Sequence, residues 1–200
     1  ARKSTKIETL AVHGGDQHDP GHAAIFPPIT TATSFVQPNL GEEGRFAYSR
    51  CGNPTRYAYE TAIAELEGGI WATATASGMA ATALALELLR PGSHVLVMRG
   101  CYGGTHRLFD KTRSVSMDLR TTFLDLNDLQ QVCEQITEHT AMIWVESPTN
   151  PLLTLVDVPR LVEAVRGHKD GKEILICADN TFATAWNQQP LKLGVDIAPG

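Results

Sequence analysis

Apolar and polar positions change rhythm along the chain at Asn53. Before it, prolines at 20, 27, 28 and 38 and glycines at 14, 15, 21, 41, 44 and 52 interrupt every apolar stretch. That pattern predicts an irregular arm over residues 1–53. After it, short apolar runs alternate with segments of helical spacing. Asn53-Pro54 reads as an N-cap followed by proline at the first helical position, and Gly68-Gly69 stops a helix that runs to Leu66. Trp71–Thr75, His94–Met98, Thr121–Leu124, Ala141–Val145 and Ile174–Ala178 read as strands. Gly78–Leu89, Arg107–Thr112, Asp128–Ile136 and Val158–Arg166 read as helices, the last capped by Asp157. Strands alternating with helices predict parallel βαβ units in a layered α/β sheet over residues 54–200, with the site beyond the carboxyl ends of the strands.

Composition narrows the classes. The chain has 200 residues, 42% hydrophobic and 20% charged, with a formal net charge of −5. These values fit a soluble folded domain. The acidic balance and the lack of a basic block argue against nucleic acid or an anionic membrane as partner. No apolar run is long enough for a membrane span, and Ala1-Arg2-Lys3-Ser4 leads into no signal sequence, so a cytoplasmic location is expected. Cys51, Cys101, Cys133 and Cys177 lack paired spacing, which predicts reduced thiols and no metal site.

Phosphate-loop, dinucleotide, zinc-protease and serine-hydrolase signatures are absent. The remaining candidates lie mostly at predicted strand ends. Asp179 ends an apolar strand and either caps a turn or pairs with a buried cation such as a protonated pyridine nitrogen. Asn180 and Thr181 add short polar groups beside it. Ser77-Gly78-Met79 opens a helix, where backbone N–H groups and the helix dipole favour a phosphate. Tyr102, between Cys101 and Gly103-Gly104, is either an exposed loop residue or a ring that lies on a planar ligand. Arg50, after Tyr48-Ser49, is either a solvated charge or a phosphate fork. Glu146-Ser147-Pro148-Thr149-Asn150-Pro151 is a rigid polar turn that either holds an amide against a ligand or is only a turn. Together these groups match pyridoxal phosphate better than other common cofactors.

The order of motifs then carries a resemblance. Tyr48-Ser49-Arg50-Cys51-Gly52-Asn53-Pro54-Thr55-Arg56, Ala64-Glu65-Leu66-Glu67-Gly68-Gly69, Ser77-Gly78-Met79-Ala80-Ala81, Cys101-Tyr102-Gly103-Gly104-Thr105, Val145 through Pro151, Asp179-Asn180-Thr181-Phe182 and Pro190-Leu191-Lys192-Leu193-Gly194 stand in sequence. This series resembles the Cys/Met-metabolism pyridoxal-phosphate enzymes of cystathionine γ-synthase and γ-lyase type, from about residue 8 to residue 197.

The resemblance implies a three-layer α/β/α fold of aspartate-aminotransferase type. It implies that Tyr48 and Arg50, on the arm, reach the cofactor phosphate of a neighbouring subunit. Ser77, Gly78 and Met79 then hold the phosphate of their own subunit, Tyr102 stacks on the ring and assists proton transfer, and Asp179 with Thr181 serves the ring nitrogen. Asn150, Glu146 and Arg107 stand near the substrate, Arg107 toward its far end, a position that favours the γ-synthase and γ-lyase branches. The implied substrates are cystathionine, cysteine or an O-activated homoserine. The implied assembly is a homotetramer of dimers with shared sites.

In the family the strand after Leu193-Gly194-Val195-Asp196-Ile197 enters a Ser-x-Thr-Lys segment, whose lysine forms the Schiff base. Here the residues are Ala198-Pro199-Gly200, so that lysine and the C-terminal domain are expected beyond Gly200, and the 200-residue chain alone is expected to be inactive. Proline is also a poor residue for a central strand. The competing expectation is a lysine-free homologue acting as a non-catalytic cofactor-binding or regulatory subunit.

Overall fold

A computed structural model of the chain describes residues 5–15 and 21–200. Residues 1–4, read above for a leader, and Pro20 of the arm lie outside the described residues. The chain divides into two compact units, one ending at Ala74 and the other spanning Thr75–Gly200.

In the first unit, helix α1 (Ile7–His13) lies within the stretch whose prolines and glycines predicted no element. It buries no residue of its own, so no apolar stripe announces it. Helix α2 (Pro54–Glu67) forms where its caps predict. Asn53 Oδ1 accepts from the Thr55 N–H at 2.8 Å, and Gly68 ends the helix in the left-handed conformation at φ 74°. The Asn53 amide also donates to the Thr30 carbonyl, and the Thr30 N–H donates to Thr55 Oγ1 at 2.8 Å, which ties the arm to the start of α2. Trp71–Thr75 is not a strand. Ile70 and Trp71 are exposed, and among the described residues no neighbour offers that segment a ladder.

The second unit is built on a sheet of β1 (His94–Met98), β2 (Arg120–Leu124), β3 (Thr140–Glu146) and β4 (Leu175–Asp179), in the order β2-β1-β3-β4 with every pair parallel. Alternate side chains divide the core into two layers. Val95, Val97, Met142, Trp144 and Cys177 pack under helix α3 (Gly78–Leu86) through Ala85 and Leu86, with Phe109 edge-on to Trp144. Leu96, Ile143, Val145 and Ile176 face the other way, with Val132 of one helix and Leu161 and Val165 of another. The result is the predicted three-layer α/β/α arrangement.

The predicted helix at Arg107–Thr112 belongs to a longer helical run. It comprises α4 (Gly103–Arg107), a π-helical stretch (Leu108–Arg113) and a last turn, α5 (Ser114–Ser116). Helices α6 (Leu129–Gln135) and α7 (Val158–Gly167) cover the far face, and Asp128 and Asp157 cap them through the N–H groups of Gln131 and Arg160. A short α8 (Thr184–Asn187) follows β4.

Beyond α8 the chain returns alongside β4. Ile197 O accepts from the Ala178 N–H, and Pro199 O accepts from the Asn180 N–H, each at 2.9 Å. Pro199 thus meets β4 with its carbonyl, and its missing N–H costs nothing on that side. Among the described residues no helix is long and apolar enough to cross a membrane.

Candidate functional site

Three strands of the second unit deliver polar residues to one end of the sheet. β3 and β4 finish on carboxylates that are register partners, Glu146 and Asp179. β1 finishes at Met98 and leads through buried Cys101 to Tyr102, whose side is 46% exposed, so its ring stands on the open side of the sheet.

Glu146 is the buried member, 4% exposed. Its Oε2 accepts from the Tyr102 N–H and its Oε1 from the Asn150 N–H, both at 2.8 Å. Burial pushes its carboxyl above the usual range, the two N–H donors pull the other way, and the Asp179 charge adds to the rise. Burial, followed by the Glu146 charge, pushes the neighbouring Cys101 thiol up to about 12. That thiol stays protonated and serves as packing.

Asp179 is half-buried. Thr181 donates to its Oδ1 twice, through the backbone N–H at 3.1 Å and the hydroxyl at 2.5 Å, which fixes the carboxylate plane. Asn180 is buried, and its amide donates to the Gln188 carbonyl. The Gln188 side chain in turn donates to Ser147 O and Asn180 Oδ1, both at 3.0 Å, and so joins the loop after β3 to the loop after β4. The Ser147 hydroxyl accepts from the Val156 N–H, and Thr149 Oγ1 accepts from the Thr154 N–H, which closes the turn around Asn150.

Ser77 caps α3 by accepting from the Ala80 N–H at 3.2 Å. Gly78 and Met79 hold the first amides of that nine-residue helix, which have no acceptor within it. Gly78 is exposed, and a Cβ there would meet nothing within 4 Å, so the helix start is open at this residue. Gly104 brings this helix start to Tyr102, because a Cβ there would lie 2.6 Å from Tyr102 Cε1 and 2.9 Å from Met79 Sδ.

Arg107 ends α4, exposed, with its guanidinium turned back over Gly103. Tyr48 and Arg50 belong to the first unit, where the Arg50 guanidinium stands 5.0 Å from the Tyr48 ring centroid. The lysines of the second unit, at 111, 169, 172 and 192, are all exposed. Among the described residues no three or more His, Cys, Asp or Glu are grouped to hold a metal.

Seven of the predicted positions in the second unit, Ser77, Gly78, Met79, Tyr102, Glu146, Asn150 and Asp179, are thus linked through Gly104, Glu146 and the β3–β4 register, and Thr181 is bonded to Asp179. Gly104 and Gln188 were missed as contributors. The Gly-Gly pair after Tyr102 was a visible signal for the first, and a lone glutamine after a short helix gave none for the second. The residues fit pyridoxal phosphate. Open amides at a helix start suit its phosphate, an exposed phenol ring suits its plane, and a half-buried carboxylate suits a protonated ring nitrogen.

The family model for Cys/Met metabolism PLP-dependent enzymes matches residues 8–199. The chain belongs to this family. Pyridoxal phosphate is the cofactor of its members. A cystathionine beta-lyase of Coxiella burnetii is 47% identical over 195 residues, which cover 98% of this chain and 49% of the relative. A cystathionine gamma-synthase of Mycobacterium leprae is 43% identical and is matched over 96% and 49% of the two chains. The crystal structure of cystathionine gamma-lyase from Lactobacillus plantarum, complexed with L-serine, superposes with a TM-score of 0.90 at 40% identity, over 97% of this chain and 49% of that one. The chain therefore spans about half the length of the relatives it matches. These relatives are named as enzymes and lend no support to a non-catalytic regulatory subunit.

Proposed function

We propose that the protein of which this chain forms part carries out elimination or replacement on a sulfur amino acid, of the cystathionine γ-synthase or γ-lyase type. The observation that carries this is the joining, at one end of one sheet, of the α3 amides, the Tyr102 ring, the Asn150 turn and the Asp179 carboxylate, in a member of this family.

When bound, pyridoxal phosphate supplies an electron sink for the pair left when a substrate Cα loses its proton. The chain's own residues do the rest. The amides of Gly78 and Met79, with the Ser77 cap behind them, bind the phosphate through charge-assisted hydrogen bonds. The Tyr102 ring would pack against the bound cofactor and keep water from it, and its hydroxyl can hold a proton for the leaving sulfur. Asp179, oriented by Thr181, keeps a proton on the ring nitrogen by offering it a fixed negative charge. The Asn150 amide orients the substrate carboxylate, and the Arg107 guanidinium forks onto a carboxylate at the substrate's far end. Tyr48 and Arg50 complete the phosphate site of a neighbouring subunit, within a cytoplasmic homotetramer made of dimers.

Products discriminate the chemistry. The full-length protein loaded with pyridoxal phosphate and given L-cystathionine takes up water and yields cysteine, 2-oxobutyrate and ammonia by γ-elimination, or homocysteine, pyruvate and ammonia by β-elimination. Given an O-activated homoserine and cysteine it yields cystathionine by γ-replacement. We expect γ products. Pyruvate as the main product would move the assignment to the β-lyase branch, and no cofactor uptake would overturn it.

A further inference from the structure

Glu146 was expected among the substrate contacts, but its chemistry in the fold is different. Both oxygens are committed, Oε2 to the Tyr102 N–H and Oε1 to the Asn150 N–H, at 2.8 Å each, and the side chain is 4% exposed. A carboxylate with two backbone donors and almost no exposure has little left to offer a substrate. Its own backbone is held by the ladder, as the last residue of β3 in register with Asp179. The two groups it binds lie on loops that leave different strands. Tyr102 follows β1, and Asn150 follows β3.

The side chain also has to be a carboxylate. Two N–H donors need two acceptors, and glutamine offers one acceptor and one donor, so its amide would face one of the N–H groups. An aspartate is one methylene shorter. A carboxylate this buried costs stability unless it is fully hydrogen-bonded, and here backbone N–H groups supply those bonds.

We propose that Glu146 is a positioning residue, whose carboxylate sets the Tyr102 ring and the Asn150 amide at fixed heights over the cofactor site without touching the substrate. This rests on the cofactor site described above. Gln188 braces the loop after β3 from the other side by joining Ser147 to Asn180 of the loop after β4, so the Asn150 turn is held at both ends. Because Asp179 is the register neighbour of Glu146, the stacking ring, the polar turn and the carboxylate at the ring nitrogen are all referred to the ends of two adjacent strands.

The test uses the full-length protein, free of cofactor and loaded with pyridoxal phosphate, as wild type, Glu146→Gln and Glu146→Asp. In the cofactor-free wild type the Tyr102 and Asn150 amides should exchange with solvent slowly, although both lie outside the strands. In Glu146→Gln at least one of the two should exchange about tenfold faster or more, while amides within β1 and β3 keep their rates. The visible circular dichroism of the bound cofactor should change in that variant, and Glu146→Asp should fall between it and wild type. Unprotected Tyr102 and Asn150 amides in the wild type overturn the proposal, and that measurement decides even if a variant fails to fold. Faster exchange with unchanged visible dichroism reduces Glu146 to a structural tie and overturns its role at the cofactor. A wild type that takes up no pyridoxal phosphate, yet protects both amides, overturns the cofactor site and leaves the tie between the loops standing.

Discussion

At the scale of single residues, two substitutions separate chemistry from packing. Asp179→Asn keeps the size of the side chain and an acceptor for Thr181, but removes the charge that the proposed function assigns to a ring nitrogen. The full-length variant should fold and take up pyridoxal phosphate. Its turnover should fall by about 10- to 100-fold, the range for losing a hydrogen bond to a charged group. Near-normal turnover would remove Asp179 from that role. Gly104→Ala tests geometry alone. Its Cβ would enter the space of Tyr102 Cε1 and Met79 Sδ, so the Tyr102 ring or the Met79 side chain must shift. Overpacking of this kind costs about 1–3 kcal/mol, which should appear as about fivefold or more weaker cofactor binding in a titration. Unchanged affinity would mean that Tyr102 can turn aside freely. These residues were legible in the sequence to different degrees. Asp179 and Tyr102 announce themselves by standing just after apolar runs. The double role of Glu146 does not, because it depends on where two separate loops come to rest.

At the scale of elements, the caps and apolar runs carried most of the information. Asn53, Asp157 and Gly68 each do what their residue type predicts. The strands fell within one residue or so of their predicted runs, and the inner strands β1 and β3, buried on both faces, have no polar alternation to blur them. Trp71–Thr75 failed because β-propensity says nothing about whether a partner exists. Helix α1 was hidden because it buries nothing.

His94, at the start of β1, was not legible at all. Its two ring nitrogens bond Thr140 Oγ1 and Thr122 Oγ1 at 2.9 Å each, and so join three strands at the end of the sheet opposite the site. Burial lowers its proton affinity, helped by the nearby charges of Arg120 and His139. The folded form therefore binds fewer protons than the unfolded chain just below pH 6.5, and stability should be lost as the pH falls through that window. In His94→Asn that part of the loss should vanish. Denaturant midpoints of both proteins, measured above and below pH 6.5, check it. Parallel curves for the two would show that His94 does not contribute.

At the scale of the whole molecule, the arm is the feature whose place the sequence leaves open. If Arg50 serves a neighbour's phosphate, subunits carrying Arg50→Ala mixed with subunits carrying Asp179→Asn should regain activity. A mixed dimer keeps one site with both groups intact, so random mixing should restore about a quarter of wild-type turnover. Confirmed mixed dimers without activity would place both groups in one subunit. The layered α/β architecture was legible because alternating strand and helix patterns admit few arrangements, whereas the strand order was not, because pairing partners leave no mark in either strand alone. That order has a kinetic consequence. With every neighbour parallel, no pair can zip up from a hairpin. His94 meets Arg120 26 residues on and Thr140 46 residues on, and Met142 meets Leu175 33 residues on. The longest of these closures costs only about 0.5 kcal/mol more than the shortest, but each loop must close before its ladder gives anything back. Until then Val95 to Met98 and Ile143 to Val145, uncharged and rich in branched side chains, stand bare in the newly made chain, and segments of that kind are the ones through which unfolded chains aggregate. The strands that end up most deeply enclosed are therefore the ones most in need of shelter during synthesis.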